Sequence, residues 1–122
     1  MKEQMVENEM ANDPLVDRAM EIILHAGDAR MAYKKALDHL INGRLKESDE
    51  ILKAAEKEIT LAHQVQTDCI HGAVRGDVFE YNVLFAHAQD TLMTIYSEIT
   101  LVKQLAVMYK QLDERLKKLE DK

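Results

Sequence analysis

Only five of 122 positions carry glycine or proline: Pro14, Gly27, Gly43, Gly72 and Gly76. An all-β chain turns about every 8–12 residues and draws on these residue types to do so. So sparse a set fits a few long helices joined by short connections. The residues between are rich in Ala, Leu, Glu, Lys, Met and Gln, which favour helix. Pro14 suits a first helical turn, where its missing N–H is harmless, and Asp13 is placed to cap it. Leu15, Ala19, Ile22, Ala26, Tyr33, Ala36, Leu37 and Leu40 then keep a helical rhythm. A first helix is therefore expected over 14–41, closed by a left-handed cap at Asn42-Gly43. Gly27 inside it would permit a bend or a close neighbour.

A second helix is expected from about 44 to 70, with Leu45, Leu52, Ala55, Ile59, Ala62, Gln66 and Cys69 facing inward. His71, Gly72 and Gly76 mark a connection, and a third helix follows over about 79–119. The third helix carries two stripes. Leu84, Ala88, Leu92, Ile95, Ile99, Val102, Ala106 and Tyr109 form an apolar one. Val83, His87, Asp90, Thr94, Ser97, Leu101, Gln104 and Met108 form a mixed one. Near its end Leu101, Leu105, Met108, Leu112 and Leu119 are spaced as a short coiled-coil seam. The expected fold is all-α: a three-helix antiparallel up-down-up bundle over 14–122 with a coiled-coil-like C-terminal end, preceded by a flexible segment, 1–13. A spare face on the longest helix makes the domain a candidate oligomer.

The formal charge of −6 argues against nonspecific nucleic-acid binding, which relies on Lys and Arg neutralising phosphates. No apolar run approaches a membrane span, and residues 1–12 lack the apolar centre of a signal peptide, so a cytoplasmic location is expected. Cys69 is the only cysteine, which rules out an internal disulfide, and it reads as a small buried hydrophobe.

The densest polar cluster is His87-Ala88-Gln89-Asp90-Thr91. His87 and Asp90, three apart, share a helical face. By spacing alone this is either a histidine nucleophile or proton carrier beside a carboxylate, or an ordinary surface histidine. Asp90 either orients the imidazole or meets its own copies on a symmetry axis, where clustered carboxylates would take up protons or hold a hard cation. A second polar group, His63, Gln66 and Thr67, lies on the second helix, and bundle packing could bring it to His87. His25 and His39 read as structural or exposed. No His-Glu-x-x-His motif, phosphate-cradling glycine loop or dinucleotide fingerprint is present.

Three strings in this order, Ala26-Gly27-Asp28-Ala29-Arg30, Ala62-His63-Gln64-Val65-Gln66-Thr67 and His87-Ala88-Gln89-Asp90-Thr91-Leu92-Met93-Thr94, resemble the enzyme IIA component of the lactose/chitobiose (cellobiose) class of the bacterial phosphotransferase system (PTS). The resemblance spans about 15–112. It implies a homotrimer of three-helix subunits, a nine-helix bundle with the third helices around the axis. It implies His87 as the phosphoryl acceptor, with Gln89, His63 and Gln66 supporting it. It implies Asp90 meeting its symmetry mates around Mg2+ or another divalent cation, with no organic cofactor. The implied donor is phospho-HPr and the implied acceptor is a cysteine of the cognate IIB domain, during uptake of a β-linked disaccharide of lactose, cellobiose or chitobiose type. Many members carry a second histidine directly after the motif aspartate, where this chain has Thr91. With a third helix starting near Phe79, His87 would lie two turns in and feel little of the helix dipole. A modest, largely apolar patch around His87 is expected rather than a deep pocket. The rival reading is a non-catalytic helical module, interactive or regulatory, that oligomerises through the third helix.

Overall fold

The computed structural model describes residues 14–74 and 82–122. Three α-helices account for nearly all of them: α1, Pro14–Ile41; α2, Leu45–Val74; and α3, Val83–Glu120. No strand occurs among the described residues. The expected all-α bundle is what forms, with α1 packed against both other helices and α2 meeting α3 less extensively.

α1 has the expected bounds. Its end is a Schellman cap: the Arg44 N–H donates to the His39 carbonyl (2.8 Å) and the Gly43 N–H to the Leu40 carbonyl (3.0 Å). Gly43 takes φ +78°, a conformation that a side chain would strain. Gly27 causes no break in α1, and a side chain there would meet nothing within 4 Å. The Asp13 cap and the flexible segment 1–13 lie outside the described residues.

Two expected boundaries are corrected. α2 does not stop at Ile70 but continues through His71 and Gly72 to Val74. Gly72 is buried, so packing holds a residue whose intrinsic preference is to end the helix. α3 does not start near Phe79. Its N-cap is Asn82, whose Oδ1 accepts the Phe85 N–H at 3.0 Å.

The core is built from the stripes read in the sequence. Ala19, Ile22, Ala26, Tyr33, Ala36 and Leu40 of α1, Leu52, Ala55, Ile59 and Ala62 of α2, and Ala88, Leu92, Ile95, Ile99, Val102 and Ala106 of α3 are all buried. Leu15, Leu37, Leu45, Cys69, Leu84 and Tyr109 pack around that core partly exposed. Ala29, Phe85 and Ser48, which lie outside those stripes, are buried as well. The many alanines let helix axes approach closely. Burial pushes the Cys69 thiol above its ordinary pKa, as suits a packed rather than a reactive cysteine.

Cross-helix ion pairs fix the register. Arg30 of α1 donates through Nε and Nη2 to both carboxylate oxygens of Glu98 on α3, at 3.2 and 3.1 Å. His25 Nδ1 lies 2.7 Å from Glu58 of α2. Lys110 reaches Asp49 at 2.6 and 2.8 Å, and Lys103 pairs with Glu56. His39 Nδ1 accepts from Arg44 Nε at 2.7 Å, so His25 and His39 both have local structural partners. Half-exposed pairs such as these contribute little each to stability, and they act mainly by setting which turns of neighbouring helices sit side by side.

Candidate functional site

The Asn82 cap decides the setting of His87. α3 begins at Val83, so His87 stands little more than one turn from the helix N-terminus, not two. The first turn contains no acidic residue, and Val83, Leu84, Phe85 and Ala86 fill it. Helical side chains lean toward the N-terminus. The His87 side chain therefore leans toward the positive end of the helix dipole, with no carboxylate in the first turn to oppose an anion there.

His87 is exposed, and so is every other member of the mixed stripe: Val83, Asp90, Thr94, Ser97, Leu101, Gln104 and Met108. Val83, one turn before His87, is 71% exposed and gives the histidine an apolar neighbour on an open face. Asp90 and half-buried Thr91 follow one turn later on the same side.

Within one chain His63 stands away from this stripe. His63 faces the ring of Tyr96, with centroids 6.4 Å apart and planes tilted by 37°, and its Nδ1 lies 3.5 Å from Thr67 Oγ1. Tyr96 follows His87 by nine residues. That is roughly two and a half turns, which sets the two on opposite sides of α3 and about 13 Å apart along its axis. Gln66, three residues beyond His63, is buried. Gln89 is half-buried and, two residues from His87, does not share its face. His63 and Tyr96 line a shallow recess of about 210 Å³ with Ile59, Thr60 and Gln64, part of the α2–α3 groove.

Among the described residues no group of three or more His, Cys, Asp or Glu side chains is placed to hold a metal ion. Asp90 offers one exposed carboxylate per chain. Such a donor fits a hard, oxygen-seeking cation only where several copies of it converge. No described helix is long and apolar enough to cross a membrane.

A polar histidine–aspartate stripe exposed beside a complete three-helix core is the arrangement to set against known proteins. A family model described as the lactose/cellobiose-specific IIA subunit of the PTS matches residues 17–110. The chain is 36% identical over 91 residues to the lactose-specific EIIA component of Streptococcus mutans, covering 75% of this chain and 88% of that protein. It is 28% identical over 104 residues to the lichenan-specific phosphotransferase enzyme IIA component of Bacillus subtilis, covering 85% and 94%. The crystal structure of the PTS cellobiose-specific enzyme IIA from Bacillus anthracis superposes with a TM-score of 0.78 at 32% identity, over 84% of this chain and 94% of that one. The chain belongs to the lactose/cellobiose-specific IIA family of the phosphotransferase system.

Proposed function

We propose that this chain is a cytoplasmic phosphocarrier that takes a phosphoryl group from phospho-HPr onto His87 and passes it to the cysteine of its cognate IIB domain. The sugar moved by the system would be a β-linked disaccharide of lactose, cellobiose or chitobiose type. The observation that carries the reading is the exposed His87 one turn into α3, in a chain of this family.

The chemistry is two in-line transfers. An unprotonated nitrogen of His87 attacks the phosphorus of the donor's phosphohistidine. The new N–P bond forms as the donor's N–P bond breaks, and the donor imidazole leaves with the bonding pair. In the second step the IIB thiolate attacks the same phosphorus. An S–P bond forms, the His87 N–P bond breaks, and the bonding pair returns to the imidazole nitrogen, which is again free to attack. Such transfers need positioning and charge stabilisation above all. An open face suits both partners, because each must dock over His87 and leave.

We further read the mixed stripe beyond His87, from Asp90 to Met108, as the face that meets two other copies of this chain in a homotrimer, with His87 left open at its edge. Because His63 stands against the opposite side of its own α3, support for the phosphoryl group from His63, Gln66 and Gln89 calls for residues of a neighbouring copy. Asp90 from three chains would meet at the axis, and Mg2+ or a similar cation there would offset their repulsion. Asp90→Leu is then expected to keep or strengthen the trimer in sedimentation analysis and to remove its dependence on divalent cation. Monomers at all metal concentrations would show that Asp90 is not axial.

The carrier reading is tested by a chase. The labelled, phosphorylated chain is purified and mixed with its cognate IIB domain. Label should move to the IIB cysteine within seconds. Label that stays on this chain would point instead to a regulator that registers the phosphorylation state of the system.

A further inference from the structure

Three strings carry the family resemblance, and the relay calls on two of them. The third, Ala26-Gly27-Asp28-Ala29-Arg30, lies inside α1. Three of its residues are accounted for within the chain. Ala26 and Ala29 are fully buried, and Arg30 holds Glu98 of α3. Gly27 and Asp28 have no such role. Glycine weakens a helix interior, and nothing in the chain asks for it here. Its φ is not positive, α1 runs through it unbroken, and a Cβ there would meet no atom within 4 Å. What a glycine does supply on an open helix face is a notch, where a neighbour can come close to the backbone.

The notch sits in an apolar row. Met20, Leu24, Gly27 and Met31 follow one another at spacings of four, three and four, so they share one face of α1. Met20, Leu24 and Met31 are exposed by 43, 61 and 63%. Gly27 therefore has an exposed apolar side chain one turn away on either side, in a row about 16 Å long. Two of the three are methionines, which repack readily against a partner's surface. The charges beside the row have one sign. Over residues 17–31, Arg18 is taken up by Glu21 and Arg30 by Glu98. Asp17 and Asp28 are exposed and have no ion pair among the described residues. Eleven residues apart, they stand on the same flank of the row. The whole chain carries −6. Such a face disfavours an acidic partner, a second copy or an anionic lipid surface included, and draws a basic one.

We propose that this face of α1 takes an amphipathic helix of a partner protein. The partner's apolar side lies over Met20, Leu24 and Met31, its backbone crosses at Gly27, and its basic flank meets Asp17 and Asp28. The face is separate from the relay histidine. Arg30 pairs with Glu98, which sets Gly27 level with Ile95, about 12 Å along the bundle from His87. The row also belongs to α1, whereas His87 stands on α3. A helix bound here leaves His87 open to exchange its phosphoryl group, so the partner engages the carrier without entering the relay.

The probe is a fluorescein-labelled amphipathic peptide of leucine and lysine, with a leucine–glutamate peptide of the same pattern as its control. Binding to the full chain is followed by fluorescence anisotropy at physiological salt. The lysine peptide should bind in the micromolar range, and the glutamate peptide at least about tenfold more weakly. Leu24→Asp should weaken the lysine peptide by at least about tenfold, and Asp28→Asn by about threefold. Gly27→Gln separates a docking glycine from a structural one, because it fills the notch with a better helix former. Its melting midpoint should rise by a few degrees while the lysine peptide binds at least about tenfold more weakly. Leu101→Asp, on the exposed face of α3, should leave peptide binding unchanged. No binding to the wild type, equal binding of both peptides, or a loss confined to Leu101→Asp would overturn the proposal. Slower labelling of His87 in Gly27→Gln, at limiting phosphoryl donor, would mean that the relay's own partner uses this face and would overturn a separate one.

Discussion

Leu92→Ala is expected to lower the stability of the folded chain by about 3 kcal/mol, near the middle of the range for truncating a buried leucine. Leu92 has no exposed surface and sits midway along the buried stripe of α3, among side chains from the other helices. Removing three carbons there loses both their transfer from water and the contacts their neighbours cannot regain, because alanine-lined helices pack too closely to slide into the space. For a domain of this size the melting midpoint should fall by roughly ten degrees. Leu101→Ala is the control: the same chemical change on the same helix, but at a residue 58% exposed in the single chain. Its effect on monomer stability should stay within about 0.5 kcal/mol. Thermal melts of both variants check the contrast at protein concentrations low enough that each is monomeric, because Leu101 lies on the stripe read as the assembly face. Equal losses would mean that the buried stripe has been assigned to the wrong face of α3.

His87→Ala is expected to have the largest functional effect, with the least structural cost. The imidazole is exposed, and no described hydrogen bond or ion pair depends on it. Helix content and melting should therefore match the wild type. Transfer through the chain should fall by at least about four orders of magnitude, because the substitution removes the nucleophile itself. His63→Ala should cost less, since His63 stands against Tyr96 on the far side of its own α3 and is read as support from a neighbouring copy. A ranking in which His63→Ala is the more damaging would move the acceptor to α2.

Much of this was legible in the residues, for reasons that differ from element to element. α1 was bounded correctly because both ends carry strong local chemistry, Pro14 at one and Asn42-Gly43 at the other. The two stripes of α3 separated cleanly because a 38-residue helix repeats its pattern often enough for a core face and an open face to stand apart. The end of α2 is less legible, because Gly72 favours a break by propensity while it stands buried inside the helix. The start of α3 does carry a local signal: Asn82 precedes Val83-Leu84-Phe85 as an asparagine cap precedes a helix. A start at Val83 rather than near Phe79 brings His87 to little more than one turn from the helix N-terminus. Pairings between helices were the least legible. Spacing along α2 puts His63 and Gln66 on one face, but nothing in that spacing says which side of α3 the face will meet. That was decided by the packing of the bundle, which gave His63 to Tyr96.

The central claim is that His87 carries a phosphoryl group. Its most direct test is intact mass after incubation with phosphoenolpyruvate, enzyme I and HPr, with wild type and His87→Ala side by side. A gain of one phosphoryl group per chain in the wild type, reversed by mild acid and absent from the variant, is the predicted result. A gain in both would place the acceptor on another residue, and a gain in neither, with both chains folded, would contradict the carrier reading.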